Sequence, residues 1–96
     1  MKKLSIIVPI YNEAATIHLI LDKIKNVSLP NNIEKEIIIV DDCSTDNSKT
    51  KIEDYIEGNS ELDIKFYQHD KNKGKGAALH TGIKNAVHAI YCIIKY

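Results

Sequence analysis

The apolar residues of this chain follow two patterns, which predict two kinds of secondary structure. Uninterrupted apolar runs are typical of short buried strands, whereas apolar residues at steps of three and four are typical of amphipathic helices. The runs, together with one looser alternation, predict four strands at Leu4–Ile10, Glu36–Val40, Leu62–Gln68 and Ala89–Ile94.

The stretches between these strands predict three helices. The first, Ala14–Asn26, has isoleucine and leucine at helical spacing. The second covers about Asp46–Glu57, with Ser44 or Thr45 as its N-cap and a glycine just past its end. The third opens at the glycines of KGKG and continues through Val87.

Strands and helices therefore alternate, which predicts an α/β fold with a parallel sheet and helices on both faces. We expect a Rossmann-like, three-layer αβα arrangement with about four strands in the order 3-2-1-4. Right-handed crossovers place the carboxyl end of every strand at one rim of such a sheet.

Composition narrows the class of protein. The chain has 96 residues, enough for one small domain or part of one, and 44% of them are apolar. Thirteen basic and thirteen acidic residues balance, so the charge predicts no nucleic-acid partner. The apolar run in MKKLSIIVPIYNE is too short for a signal peptide or a membrane span. We expect a cytoplasmic protein without a transmembrane segment, and free thiols at Cys43 and Cys92.

Polar residues collect at the predicted rim, where open α/β sheets bind ligands. The residues expected there are Pro9, Tyr11, Asn12 and Glu13 from the first strand, Asp41 and Asp42 from the second, and His69, Asp70 and the basic loop KNKGKG from the third. A polar ligand is the simplest explanation. Side chains alternate along a strand, so only one of the two aspartates faces the cleft. We favour a structural role for Asp41 and a ligand role for Asp42.

Two further features of the sequence bear on phosphate and metal binding. The run NKGKGAALHTG lacks the spacing of a P-loop, and glycines with Lys73 and Lys75 fit either an anion site or a solvated basic turn. The four histidines lack metal-ligand spacing, so surface or packing roles are favoured and no metal ligand is predicted.

The rim segments together resemble the inverting family 2 glycosyltransferases with the GT-A fold, especially enzymes like the dolichyl-phosphate mannose and glucose synthases. SIIVPIYNE is similar to the first strand and loop of that family. EIIIVDDCSTDNS is similar to its second strand, where VDDGS-type sequences are usual, and NKGKGAALHTGIKNA is similar to the start of its third helix. The resemblance covers Lys3 to about Ala86.

The resemblance implies a nucleoside diphosphate sugar as ligand and transfer of the sugar to an acceptor, either a polyprenyl phosphate or a glycan. It implies that Pro9, Tyr11 and Glu13 contact the nucleoside, that Asp42 lies at the base or ribose, and that Lys75 lies near the nucleotide. A carboxylate accepts hydrogen bonds from ring N–H or ribose O–H groups, and an aromatic ring packs on a base or sugar. The catalytic residue, the base and the sugar are left unassigned.

One family motif is missing from the sequence. Complete members carry an Asp-x-Asp motif that binds Mg²⁺ or Mn²⁺ on the diphosphate, and this chain contains no Asp-x-Asp. A divalent ion usually stabilises the departing diphosphate. We therefore expect residues 1–96 to be the nucleotide-sugar-binding part of a GT-A domain, cut off before that motif, with little turnover alone. The location expected is cytoplasmic, either free or peripheral at the inner face of the membrane.

Two alternatives remain. A phospho-receiver domain also has an acidic pair after an apolar strand, but there the pair follows the first strand and not the second. A non-catalytic module that binds nucleotide or self-assembles fits better. In that case the apolar edge of the fourth strand, with Ile90, Ile93 and Ile94, would pair with a second copy to form a homo-oligomer.

Overall fold

The computed structural model describes the backbone of residues 3–92 and the side chains of residues 3–89. Strands and helices alternate as predicted, and a short 3₁₀ turn, Pro30–Asn32, precedes the second strand. The elements are β1 (Lys3–Ile10), α1 (Ile17–Asn26), β2 (Glu34–Asp41), α2 (Ser48–Gly58), β3 (Ile64–Gln68), α3 (Lys75–Asn85) and β4 (Ala89–Cys92).

The four strands form one parallel sheet in the order β3-β2-β1-β4, which confirms the predicted order. β1 and β2 are paired from Lys3 opposite Glu34 to Ile10 opposite Asp41. β4 forms the edge beside β1. Ile93, Ile94 and the side chain of Ile90 lie outside the described residues, so self-association through this edge stays a prediction.

Side chains that alternate along the two central strands build two cores, one on each face of the sheet. The larger core packs against α1 and α2, and the smaller one lies under α3. Helices on both faces confirm the three-layer αβα arrangement. The buried members of the smaller core are Ile7, Ile38, Val40 and Ala78.

The smaller core depends on a close approach between α3 and β1. A Cβ atom added at Gly82 would lie 2.4 Å from Cγ2 of Ile7. Any larger residue at position 82 would therefore push α3 away from the sheet, and with it the loop that precedes the helix.

Several predicted boundaries were wrong by one to three residues, among them the starts of β2 (Glu34, not Glu36) and β3 (Ile64, not Leu62) and one boundary of each helix. α1 begins at Ile17 and not Ala14, because the amides of Thr16 and Ile17 both donate to the carbonyl of Glu13 in a preceding turn. The predicted N-cap at Ser44 or Thr45 was also wrong: Asn47 is the N-cap, and α2 begins at Ser48. α3 ends at Asn85, before Val87, because the backbone is already extended at Ala86.

Candidate functional site

The carboxyl ends of β1, β2 and β3 meet at one rim, as predicted. The backbone amide of Asp42 donates to the carbonyl of Ile10 at 2.9 Å, and the amide of His69 donates to the carbonyl of Asp41 at 2.9 Å. The loop after each strand therefore starts beside the loop of its neighbour.

Asn12 joins the loop after β1 to the loop after β2. Its side-chain oxygen accepts from the amides of Thr45, at 2.7 Å, and Asp46, at 3.2 Å, while its own amide donates to the hydroxyl of Ser44 at 2.8 Å. Asn12 has a φ of 53°, a left-handed conformation that asparagine adopts more readily than most residues. Through its side chain and its backbone amide, Asn12 thus fixes the loop after β1 to the loop after β2.

Asp46 adds a second link between the same two loops. Its carboxylate accepts from the amide of Ala14 at 3.2 Å and from the amide of Ser48 at 2.9 Å. Burial alone would raise the pKa of Asp46, but hydrogen bonds from Ser48 and Ala14 hold that pKa below its usual value. The amide of Glu13 donates to the Ser48 hydroxyl at 2.9 Å, so both loops are also fixed to the start of α2.

The residues predicted in the first loop lie in different environments. Pro9 is buried within β1, opposite Val40 of β2, and Tyr11 is half-buried just past the strand. Glu13 is half-buried, and its carboxylate accepts a hydrogen bond from the hydroxyl of Thr16. Pro9 therefore lies beneath the rim, whereas Tyr11 and Glu13 lie at it.

Asp41 is fully buried. Its Oδ1 accepts from the amide of Ser44 at 3.3 Å and from the Ser44 hydroxyl, and its Oδ2 accepts from the side-chain amide of Gln68 at 3.2 Å. These contacts hold the loop after β2 in its turn, which is the structural role favoured for Asp41 from the sequence.

Asp42 is also fully buried, although the sequence favoured it as a ligand residue. Its Oδ1 accepts from the amide of Lys73 at 2.9 Å, and its Oδ2 accepts from the amide of Gly74 at 2.8 Å. Nδ1 of His69 lies 2.7 Å from the same Oδ1. The carboxylate therefore ties β2 to the loop between β3 and α3.

The basic loop carries its charges outward. Lys73 and Lys75 are exposed, and Nζ of Lys73 lies 3.8 Å from the carboxylate of Asp70. Gly74, with a φ of 97°, makes the turn into α3, and this conformation is strained for residues with a Cβ atom. The half-buried Cys43 is a free thiol, and its Sγ lies 3.7 Å from the carbonyl oxygen of Asp70.

The described residues do not fit a divalent metal. Within residues 3–89, no three histidine, cysteine, aspartate or glutamate side chains are grouped as metal ligands. Asp41 and Asp42 are buried and already accept hydrogen bonds from amides, so they do not offer the open carboxylate oxygens that Mg²⁺ prefers. We assign no metal to this part of the chain.

A groove of 610 Å³ lies elsewhere, along α1. Leu19 and Val27, each 52% exposed, form its apolar wall. It contains none of the residues predicted at the rim.

The roles of two residues were not predicted from the sequence. The sequence predicts Asn12 at the rim without a role, and it predicts a surface or packing role for His69 as for the other histidines. The signal for Asn12 was an asparagine two residues past the end of a strand, where a left-handed turn is common. His69 is packed, as expected, but its contacts with Asp42 come from 27 residues away and leave no local pattern.

The fold and the rim together define the class of protein, an α/β domain of the GT-A type. The family model described as glycosyl transferase family 2 matches residues 5–94. The chain belongs to glycosyl transferase family 2.

Individual relatives agree with this assignment. A dolichyl-phosphate beta-glucosyltransferase of Dictyostelium discoideum is 36% identical over 85 residues, which are 83% of this chain and 26% of that protein. The structure of Staphylococcus aureus TarS 1-349 in complex with UDP-GlcNAc matches with a TM-score of 0.82 and 31% identity, over 98% of this chain and 26% of that one.

A second structure has a different ligand. Mannosyltransferase PcManGT from Pyrobaculum calidifontis, in complex with GDP-Man and Mn²⁺, matches with a TM-score of 0.81 and 31% identity, over 88% of this chain and 24% of that one. The chain thus spans about a quarter of the length of these relatives. These matches confirm the family resemblance that the three sequence segments suggested.

Among residues 3–92, no helix combines the length and the apolar character needed to cross a membrane.

Proposed function

We propose that residues 1–96 form the nucleotide-sugar-binding part of a GT-A domain, in a protein that transfers a sugar from a nucleoside diphosphate sugar to an acceptor. The observation that carries this proposal is the set of hydrogen bonds that joins three strand-end loops at one rim. A site that is held in place before ligand arrives loses less conformational freedom on binding. Two structural neighbours contain UDP-GlcNAc and GDP-Man.

Each predicted site residue has a part in this proposal. Tyr11 and Glu13, at the rim, contact the nucleoside, and Pro9 shapes the floor beneath them. Lys75, exposed at the start of α3, lies near the nucleotide and attracts its phosphates. Asp42 lies beneath the base or ribose end of the site. Both of its oxygens already accept hydrogen bonds from the loop that leads to Lys75, so it supports the site by holding that loop.

The rest of the reaction lies with groups that this sequence lacks. The metal expected for a complete family member is Mg²⁺ or Mn²⁺ on an Asp-x-Asp motif, and the sequence contains no such motif. We therefore expect binding without appreciable turnover from residues 1–96. A polyprenyl phosphate or a glycan as acceptor, and a cytoplasmic location that is either free or peripheral at the inner face of the membrane, belong to the proposal through the family.

The test is an amide NMR titration of the 96-residue chain with UDP and with GDP, each with and without Mg²⁺. We expect saturable shifts at Tyr11–Glu13 and at Asp41–Ser44, and the base that binds more tightly identifies the donor. No shift with either nucleotide would mean that the rim is a scaffold without nucleotide affinity, as in the self-assembling alternative.

Paired lysine variants sharpen this test. Lys75→Ala removes the charge at the start of α3 and is expected to weaken nucleotide affinity by about two- to fivefold, the usual range for an exposed ion pair. Lys84→Ala removes an exposed charge from the last turn of the same helix, at the end away from the rim, and is expected to leave affinity unchanged. Equal effects from the two variants would point to general charge attraction and count against the assignment of Lys75.

A further inference from the structure

The loop between β3 and α3 is attached to the sheet at both of its ends. It leaves β3 at His69, which is 9% exposed, and it enters α3 through Gly74. Near the second end, the amides of Lys73 and Gly74 donate to the two oxygens of Asp42. The orientation of that single carboxylate therefore decides where α3 begins and where Lys75 lies.

His69 is placed to set that orientation. Its ring bridges β2 and α3, with Nδ1 2.7 Å from Oδ1 of Asp42 and Nε2 2.8 Å from Oγ1 of Thr81. The side chains of His69 and Asp42 are 7% and 0% exposed. An ionised carboxylate accepts hydrogen bonds but donates none, so Nδ1 carries the hydrogen in this contact.

The contacts that the two ring nitrogens of His69 make with Asp42 and Thr81 have different effects on the loop. A buried hydrogen bond to a charged group is stronger and more directional than one between neutral groups. The Nδ1 contact thus restrains the Asp42 carboxylate in the one plane in which each oxygen meets an amide. The Nε2 contact joins a neutral hydroxyl in the second turn of a helix that already packs on the sheet through Gly82.

We propose that His69 is a positioning residue for the donor site: its Nδ1 hydrogen bond orients Asp42, which holds the Lys73 and Gly74 amides and so fixes the start of α3. This inference rests on the proposed function for its effect on nucleotide binding. Its effect on the loop does not depend on any ligand. A histidine that only filled space would have neither effect.

Two conservative variants separate the two ends of the ring. In His69→Asn the side-chain amide nitrogen takes a place close to that of Nδ1 and still donates to Asp42. In His69→Gln the amide lies farther from the backbone, near the place of Nε2, and loses the short contact with Asp42. Thr81→Val removes the hydroxyl at the other end with little change of volume.

The first measurement is made on the ligand-free chain. Amide proton shifts and hydrogen-exchange rates of Lys73 and Gly74 report their bonds to Asp42. We expect both amides to shift upfield and exchange at least tenfold faster in His69→Gln, and to stay near their original values in His69→Asn and Thr81→Val. Unchanged amides in His69→Gln would overturn the proposal, whatever the nucleotide results are.

The second measurement is the affinity for UDP and GDP. His69→Gln is expected to lose about tenfold in affinity, and His69→Asn no more than about twofold, with thermal stability recorded for each variant. If both variants lose affinity equally, in proportion to their loss of stability, the ring is only a packing element and the proposal is wrong. If the original chain binds neither nucleotide, the proposed function fails, while the amide measurements still decide the role of His69.

Discussion

Both ends of the sheet bury a carboxylate, but they neutralise it in different ways. At the carboxyl rim, Asp42 accepts from two backbone amides and from His69. At the amino edge, Glu36 is 3% exposed and accepts from Lys65 Nζ at 2.5 Å and from the Ser5 hydroxyl at 2.8 Å. One carboxylate is held mainly by fixed backbone dipoles, and the other mainly by a lysine whose side chain is 44% exposed.

The difference explains what each end does. A backbone amide moves only if its loop moves, so a carboxylate that binds two amides fixes a loop in space. A lysine on a flexible stem follows its partner and fixes little beyond charge balance. The contacts at the rim therefore fix the position of a loop, as a binding site requires. The contacts at the amino edge mainly neutralise a buried charge.

The largest effect that tests this comparison is expected from Asp42→Ala. The change leaves the amides of Lys73 and Gly74 and the ring of His69 without their buried acceptor. We expect the free energy of unfolding to fall by about 3 kcal/mol, as when one partner of a buried charged network is removed. Urea denaturation followed by circular dichroism measures this loss.

Asp54→Ala is the matched control, because Asp54 is exposed on α2. It is expected to change the free energy of unfolding by less than about 0.5 kcal/mol. If the loss in Asp42→Ala is as small as in the control, the loop is held by other contacts and the rim does not differ from the amino edge.

The sequence was sufficient to predict the sheet, because the signal was strong and local. The run Ile37–Val40 has four consecutive β-branched residues, and the structure buries all of them in a central strand. The helix periodicity of Ile17 to Ile24 was equally clear, and these residues face the larger core. Apolar patterning fixes which face of an element is buried, and from there few topologies are possible.

The contacts at the rim were not predictable in the same way. Asp42 meets Lys73 and Gly74 from 31 and 32 residues away, so no local pattern distinguishes it from a carboxylate that faces solvent. The N-cap was misplaced for the same reason, because Asn12 in another loop holds the amides of Thr45 and Asp46. Strand ends were predictable, whereas the partners of the polar groups beyond them were not.

The second prediction concerns the loss of stability at low pH that Glu36 causes. Burial alone would raise the pKa of Glu36, but hydrogen bonds from Lys65 and Ser5 and the charge of Lys65 hold that pKa below its usual value. Because the pKa is lower in the folded chain, the stabilisation is present above the unfolded value of about 4.3 and is lost as pH falls through the folded value. The free energy of unfolding is therefore expected to drop below about pH 5.

Glu36→Gln is expected to remove part of that pH dependence. It keeps the shape of the side chain but not its charge, and costs about 1 kcal/mol at neutral pH. Its stability profile, from urea denaturation at pH 3 to 7, is expected to be flatter than that of the original chain. Glu53→Gln, which removes an exposed carboxylate from α2, is the control, and parallel profiles in all three proteins would contradict the assignment.

The smallest expected effect belongs to Lys35, at the amino end of β2. Its Nζ donates to the carbonyls of Ile24 at 2.6 Å, Lys25 at 2.9 Å and Val27 at 2.5 Å, where α1 ends. The last carbonyls of a helix lack partners within the helix, and a cation there also suits the helix dipole. Burial lowers the pKa of Lys35, which shows that partial desolvation offsets some of the gain.

We therefore expect Lys35→Ala to lower the free energy of unfolding by only about 0.5 kcal/mol. Amide hydrogen exchange is expected to become faster in the last turn of α1, and the exchange rates of Lys73 and Gly74 are expected to stay unchanged. Lys51→Ala, on the exposed face of α2, gives the baseline for losing a surface lysine. Faster exchange at the amides of Lys73 and Gly74 in Lys35→Ala would contradict the comparison. It would mean that the two ends of the sheet are coupled and do not act as separate regions.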